Sequence, residues 1–268
     1  MDSNQRLRQN IRMLGSLLGR VLKAQGGVSL LDTVEQIRTL SKSARLGNSE
    51  DWKELSSKLS SLDTEEAIPI CRAFALFLAL ANIAEQHHRV RRRRVYNMED
   101  KPQRGSIRAA LPYLLERGTS KEELHKTVSE LQIELVLTAH PTEVNRRTLL
   151  QKHNEIARLL SDLDYATPNE AIRIERSLER VITEIWHTDE LHRQKPTPLD
   201  EARAGLLIFE SRLWNAIPKF LQVLDSELQS STGKPLALSA APVRFGSWMG
   251  GDRDGNPNVT SSITKEVI

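Results

Sequence analysis

Six consecutive residues, Thr138-Ala139-His140-Pro141-Thr142-Glu143, put an imidazole where it could do chemistry. They begin at the last residue of Ile133-Glu134-Leu135-Val136-Leu137-Thr138, a short apolar run that predicts a strand buried on both faces. In parallel β/α architectures the carboxyl end of a strand is where active sites form, because the strand is rigid and the following loop is free to vary. An imidazole titrates near neutral pH, so His140 could exchange a proton with a bound reactant. Arg146 and Arg147 fall in the first two turns of the next predicted helix. Two guanidiniums beside free backbone N–H groups make a candidate anion site. The plainer alternative is a histidine bonded within a turn and arginines on a solvated face.

A second cluster is Met249-Gly250-Gly251-Asp252-Arg253-Asp254-Gly255-Asn256-Pro257, after the predicted strand Val243-Arg244-Phe245-Gly246-Ser247-Trp248. Glycines allow close backbone approach or positive φ. Arg253 between two aspartates could be an anion receptor or a structural ion pair, and a purely structural turn is equally compatible. A calcium loop is rejected, because Pro257 stands where glycine is needed and Ile263 where glutamate is needed. No Gly-Lys-Ser/Thr follows, so it is not a P-loop either.

A third feature, Arg89 with Arg91, Arg92, Arg93 and Arg94, covers all sides of a helix. No aromatics interleave, so base stacking is not supported and a solvated or salt-bridged helix end is expected. His87 and His88 lack an i, i+4 partner and make a poor metal pair.

The elements that must carry these residues are mostly helical. Leu7, Ile11, Leu14, Leu17, Leu18, Val21 and Leu22 recur at helical steps. Further helices are expected over 30–46, after the Gly26-Gly27 break, over 51–59, and beginning after Asp63-Thr64-Glu65-Glu66 and running to about residue 95. This last one is apolar on most sides and so is expected to be largely buried, with Cys71 an inert buried thiol. After the first strand, helices are expected over 144–163 and 168–191, an extended loop over 193–200, and a helix over 201–228 kinked or split at Pro218. Residues 1–130 thus read as a helical region and 131–268 as the start of a β/α alternation. Two strands expect partners that 268 residues do not supply, so truncation is expected.

Lys plus Arg is 38 against 35 for Asp plus Glu, a net +3, which does not demand nucleic acid or an anionic membrane. The longest apolar stretch, 70–84, contains Arg72 and falls short of the roughly 20 residues of a bilayer span. A single cysteine and the lack of a signal sequence fit a soluble protein in a reducing cytoplasm.

The motifs together resemble phosphoenolpyruvate carboxylase. Val136-Leu137-Thr138-Ala139-His140-Pro141-Thr142-Glu143 is similar to that family's histidine signature, and Phe245-Gly246-Ser247-Trp248-Met249-Gly250-Gly251-Asp252-Arg253-Asp254-Gly255-Asn256-Pro257 to a second long motif. Segments 81–89 and 194–201 also look like the family's, in the expected order. The resemblance implies a mainly α protein carrying the first strands of a β/α (TIM-type) barrel, incomplete here. It implies carboxylation of phosphoenolpyruvate by bicarbonate to oxaloacetate and phosphate, through carboxyphosphate and an enolate. Mg²⁺ or Mn²⁺ is the implied cofactor, with ligands beyond Ile268. A homotetrameric, allosteric, cytoplasmic enzyme that replenishes the tricarboxylic acid cycle is implied.

By the same resemblance His140 takes the carboxyphosphate proton, Trp248 walls the CO2 pocket, Arg253 organises its loop, and Arg146 and Arg147 receive a phosphorylated-sugar activator. The fragment alone is then expected to be inactive and poorly folded. A helical interaction module, a phosphotransfer protein using His140 as nucleophile, and a nucleic-acid binder led by the arginine run are the competing expectations.

Overall fold

The computed structural model describes residues 4–138, 147–189 and 196–268. The chain divides into two compact units that no single cut separates. Unit 1 is Met1–Arg92 with Arg146–Glu190, and unit 2 is Arg93–Asn145 with Leu191–Ile268.

Unit 1 is helical. Helix α1 runs Gln5–Arg45, interrupted at Gly27, whose φ of 84° leaves the helical region. The expected break is therefore present as a kink. Helix α2, Ser49–Ser61, is capped by Asn48, whose side chain accepts from Glu50 and Asp51 N–H. Helix α3, Thr64–Met98, starts with a reciprocal cap: Glu66 N–H donates to Asp63 Oδ1 at 2.8 Å, and Asp63 N–H to Glu66 Oε2 at 3.4 Å. Helices α6, Arg147–Leu163, and α7, Pro168–Trp186, form a hairpin.

Leu14, Leu17, Leu22, Leu80, Ile156, Leu160, Leu178 and Ile182 are among the side chains fully buried in this unit's core. Polar groups hold α3 against α6 and α7. Arg72 Nη2 donates to Trp186 O at 2.7 Å, satisfying a carbonyl at the end of α7, and its guanidinium lies over the Trp186 ring.

Two expectations about α3 fail. It buries one face only: Ile70, Ala73, Leu76, Leu80, Ile83 and Ala84 point inward, while Ile68, Leu78 and Val90 are exposed. Cys71 is exposed as well, since it lies on that outer side of the helix. By length and composition α3 is long and apolar enough to cross a membrane, a property shared by core helices of soluble proteins.

Unit 2 holds the sheet. Helices α4, Ile107–Glu116, and α5, Lys121–Ser129, pack with α9, Trp214–Thr232, around Leu111, Leu124, Val128, Leu224 and Leu228. Strands β1, Ile133–Leu137, and β2, Val243–Ser247, pair in parallel, Ile133 opposite Val243 and Leu137 opposite Ser247. Contrary to expectation, β1 is not buried: Ile133, Leu135 and Val136 are each more than two-fifths exposed, because the sheet has only two strands among the described residues.

Helix α8, Pro198–Ile208, begins earlier than expected. Pro198 occupies its first turn, and Thr197 and Asp200 cap each other, so the loop ends at the prolines instead of beyond them. The split of the following helix also moves. A π-helical turn, Phe209–Leu213, separates α8 from α9 and ends just before Trp214, the i−4 residue of Pro218. Proline cannot donate to that carbonyl and crowds it, so the helix adjusts one turn ahead of the ring. Helix α10, Ser261–Val267, closes the described chain.

Candidate functional site at the carboxyl end of the sheet

The alternation of side chains along a strand fixes what each face presents. Glu134, Val136, Arg244 and Gly246 share one face, and Leu135 and Phe245 share the other. On the second face the Phe245 ring meets Phe209 edge to face at 5.2 Å, which docks the sheet on the α8 side. On the first face the Glu134 carboxylate lies over Gly246, where a Cβ would sit 2.7 Å from its Oε1.

The ladder continues one residue past β2. Trp248 N–H donates to Leu137 O at 3.1 Å. The chain leaving β1 and the chain leaving β2 therefore depart from the same end of the sheet, side by side. His140 is three residues beyond Leu137. It lies outside the described residues, as does Arg146; Arg147 opens α6, and its side chain is likewise outside. The structure thus gives the strand that launches His140, while the expectations for His140, Arg146 and the Arg147 side chain fall outside the described residues.

The loop after β2 is held by contacts that its sequence does not announce. Ser247 Oγ accepts from Met249 N–H at 3.2 Å. The Met249 side chain is buried against Gly205 of α8, where an added Cβ would fall 2.1 Å from its Cε. Gly251 and Asp252 N–H both donate to Trp248 O at 3.0 Å, closing a tight turn. Gly250 has φ of 72° and faces Val267 of α10 closely. Thr264 Oγ1 donates to Gly250 O at 2.8 Å and accepts from Arg253 Nη2 at 3.3 Å.

Among the described residues Arg253 is therefore tied to α10 and pairs with neither flanking aspartate. Asp252 Oδ1 accepts from Asp254 N–H at 3.0 Å, and Asn256 Oδ1 from Asn258 N–H at 3.1 Å, both turn-forming uses of the side chain. The indole of Trp248 is 60% exposed. The result is a loop held by local hydrogen bonds that displays an aromatic surface and one guanidinium at the sheet's carboxyl end. Such a display suits an anion beside a poorly hydrated group. Gly205 and Thr264, which help fix the loop, were not singled out by the sequence, and Met249 appeared there only as a member of the motif; the one hint to Gly205 was a glycine inside a helical run.

No group of three or more His, Cys, Asp or Glu converges among the described residues. The described part of the site thus lacks a ligand set for a divalent cation.

A sequence model of the family described as Phosphoenolpyruvate carboxylase matches residues 7–268. Relatives named phosphoenolpyruvate carboxylase include those of Ectopseudomonas mendocina, 49% identical over 98% of this chain, and Pseudomonas paraeruginosa, 48% identical over 98%. That of Acinetobacter baylyi is 47% identical over 98%. The chain spans about 30% of the length of each of these relatives.

Proposed function

Because the chain belongs to the phosphoenolpyruvate carboxylase family, we propose that it contributes part of the active site for carboxylating phosphoenolpyruvate with bicarbonate, giving oxaloacetate and phosphate. The observation that carries this reading is the Trp248 N–H to Leu137 O bond, which starts the His140 segment and the Trp248 loop from one end of a parallel sheet. In the reaction, bicarbonate attacks the phosphoryl group to give carboxyphosphate and an enolate. His140 accepts the carboxyphosphate proton, which promotes loss of CO2. Trp248 lines the pocket that keeps CO2 near the enolate and water away from it. Arg253 holds the loop in register through Thr264.

The family is expected to use Mg²⁺ or Mn²⁺, which would supply charge neutralisation at the reacting oxygens. The described residues offer no ligand set for it, so no step here is assigned to it. The 268 residues alone are inactive in this proposal. We further propose that β1 and β2 are the first strands of a TIM-type β/α barrel following the helical region 1–130. Their parallel pairing and the exposed apolar residues of β1 support this. Arg146 and Arg147 are proposed to receive a phosphorylated-sugar activator, and the working enzyme is proposed to be a cytoplasmic tetramer.

His140→Asn in a polypeptide of the relatives' full length is the test. Oxaloacetate formation should be lost while the fold is kept, and no phosphohistidine should accumulate in the unsubstituted protein. Retained turnover would reject the role of His140, and a trapped phosphohistidine would favour phosphotransfer instead.

A further inference from the structure

A buried polar chain in unit 1 has no part in the proposed reaction. His87 Nε2 lies 3.0 Å from Asp164 Oδ2, and Arg91 Nη1 donates to Asp164 Oδ1 at 3.0 Å. Arg91 Nη2 donates in turn to His88 Nδ1 at 3.1 Å. The His87, Arg91 and Asp164 side chains are 5%, 12% and 13% exposed, and His88 is buried too. Asp164 lies between α6 and α7, so the chain fastens the late part of α3 to that turn. Arg91 is next to the last residue of α3 that belongs to unit 1.

The geometry fixes the state of His88. A guanidinium only donates, so Nδ1 must present a lone pair. The one proton of the neutral ring then sits on Nε2, a buried atom that has no hydrogen-bond partner. A second proton would have to enter at Nδ1, directly against the Arg91 N–H. Both cannot occupy that line.

We propose that His88 is an acid-triggered release for α3: neutral, it accepts from Arg91 and completes the clasp on Asp164; protonated at Nδ1, it expels Arg91 and frees residues 88–98. The proton comes from solvent, the Arg91 to His88 bond breaks, and no other bond is exchanged. The groups facing His88 agree. Burial holds its pKa below the ordinary 6.5, and the positive charges of Arg91 and Arg92, with His87, push the same way; Glu85 opposes them. From the facing turn, Asp164 spends its charge on Arg91 and His87.

The sign follows. A released His88 binds a proton more readily than the clasped one. The clasp therefore contributes fully above the ordinary value of 6.5 and is lost as pH falls below it toward the depressed value.

Amide hydrogen exchange of a polypeptide of the relatives' full length at pH about 7.5 and about 5.5 tests this across the histidine range. After correction for the intrinsic pH dependence, exchange in residues 88–98 should rise about ten-fold at the lower pH. His88→Asn keeps an acceptor oxygen near the Nδ1 position but cannot titrate, so its profile should be flat. A flat wild-type profile, or an equal rise in His88→Asn, overturns the proposal. Should that variant not fold, ring ¹⁵N shifts of wild-type His88 decide. An Nε2–H tautomer titrating below 6.5 is expected, and an Nδ1–H tautomer or a midpoint at or above that value overturns it.

Discussion

Unit 1 and unit 2 use similar residues to different ends. Unit 1 buries Leu14, Leu17, Leu22, Leu160, Leu178 and Ile182 in one continuous core and pairs inner polar groups such as Arg72, Arg91 and Asp164 within itself, with His88 Nε2 left over. Unit 2 gathers a small core between α4, α5 and α9 and leaves Leu135, Val136, Leu206, Ile208, Trp214 and Trp248 exposed. Unit 1 leaves apolar residues exposed too, Trp52, Leu78 and Tyr165 among them, so the contrast lies in the small core of unit 2. The candidate site belongs to that unit. The lesson is a division of labour: one unit stores stability, and the other holds a loop ready by local hydrogen bonds.

The sharpest way to break the contrast is to truncate matched side chains. Ile182→Ala empties a site with no exposure and should cost about 2–5 kcal/mol, read as a lower urea midpoint. Leu135→Ala removes a side chain that is already 46% exposed and should cost less than about 1 kcal/mol. Equal losses would mean that unit 2 has a core as demanding as that of unit 1.

Polar truncation sharpens the same point. Asp164→Ala removes the carboxylate that Arg91 and His87 share in a buried setting and should cost about 2–4 kcal/mol. Arg253→Gln removes an exposed bond to Thr264 and should change stability by no more than about 0.5 kcal/mol. Gly250→Ala is the exception within unit 2. It combines a left-handed backbone with a Cβ 2.6 Å from Val267, so about 1–3 kcal/mol should be lost, seen as faster exchange in residues 248–267. Val267→Ala in the same chain should restore only the steric part.

How far the sequence foretells these positions follows from the range of the forces involved. Both strands were legible within a residue, because short β-rich apolar runs need no distant information. The Gly27 kink and the Thr197 cap are local for the same reason, although the cap was read as loop since two prolines masked a helix start. The one-sided burial of α3 was not legible. Its apolar composition is nearly uniform, and only packing decides which side faces the core. Nor was the clasp, because Asp164 is 73 residues from Arg91 and neither residue type implies the other. At the candidate site, His140 stood out by type and context and Trp248 only through the family resemblance, but Met249 in the notch at Gly205 depends on a helix arriving from elsewhere in the chain.

The smallest effect concerns acid. Glu184 is held below the ordinary carboxylate value of 4.5 by hydrogen bonds from Lys152 and then Arg180, and Glu179 by its bond from Arg20. A carboxylate with a depressed native pKa adds stability above its unfolded value, and that share disappears as pH falls through the native one. Unit 1 should therefore lose thermal stability below pH 4.5, gently, because both glutamates are about a third exposed and screened by solvent. Lys152→Met should flatten that slope in α7 and leave exchange in α9 unchanged, and about 0.5 M salt should act like a partial Lys152→Met. This window lies below that of His88, so acid should loosen unit 1 in two separable stages, first the end of α3 and then the α6–α7 surface. A single stage centred below pH 4.5 would leave the carboxylates as the acid-sensitive elements and His88 as a bystander.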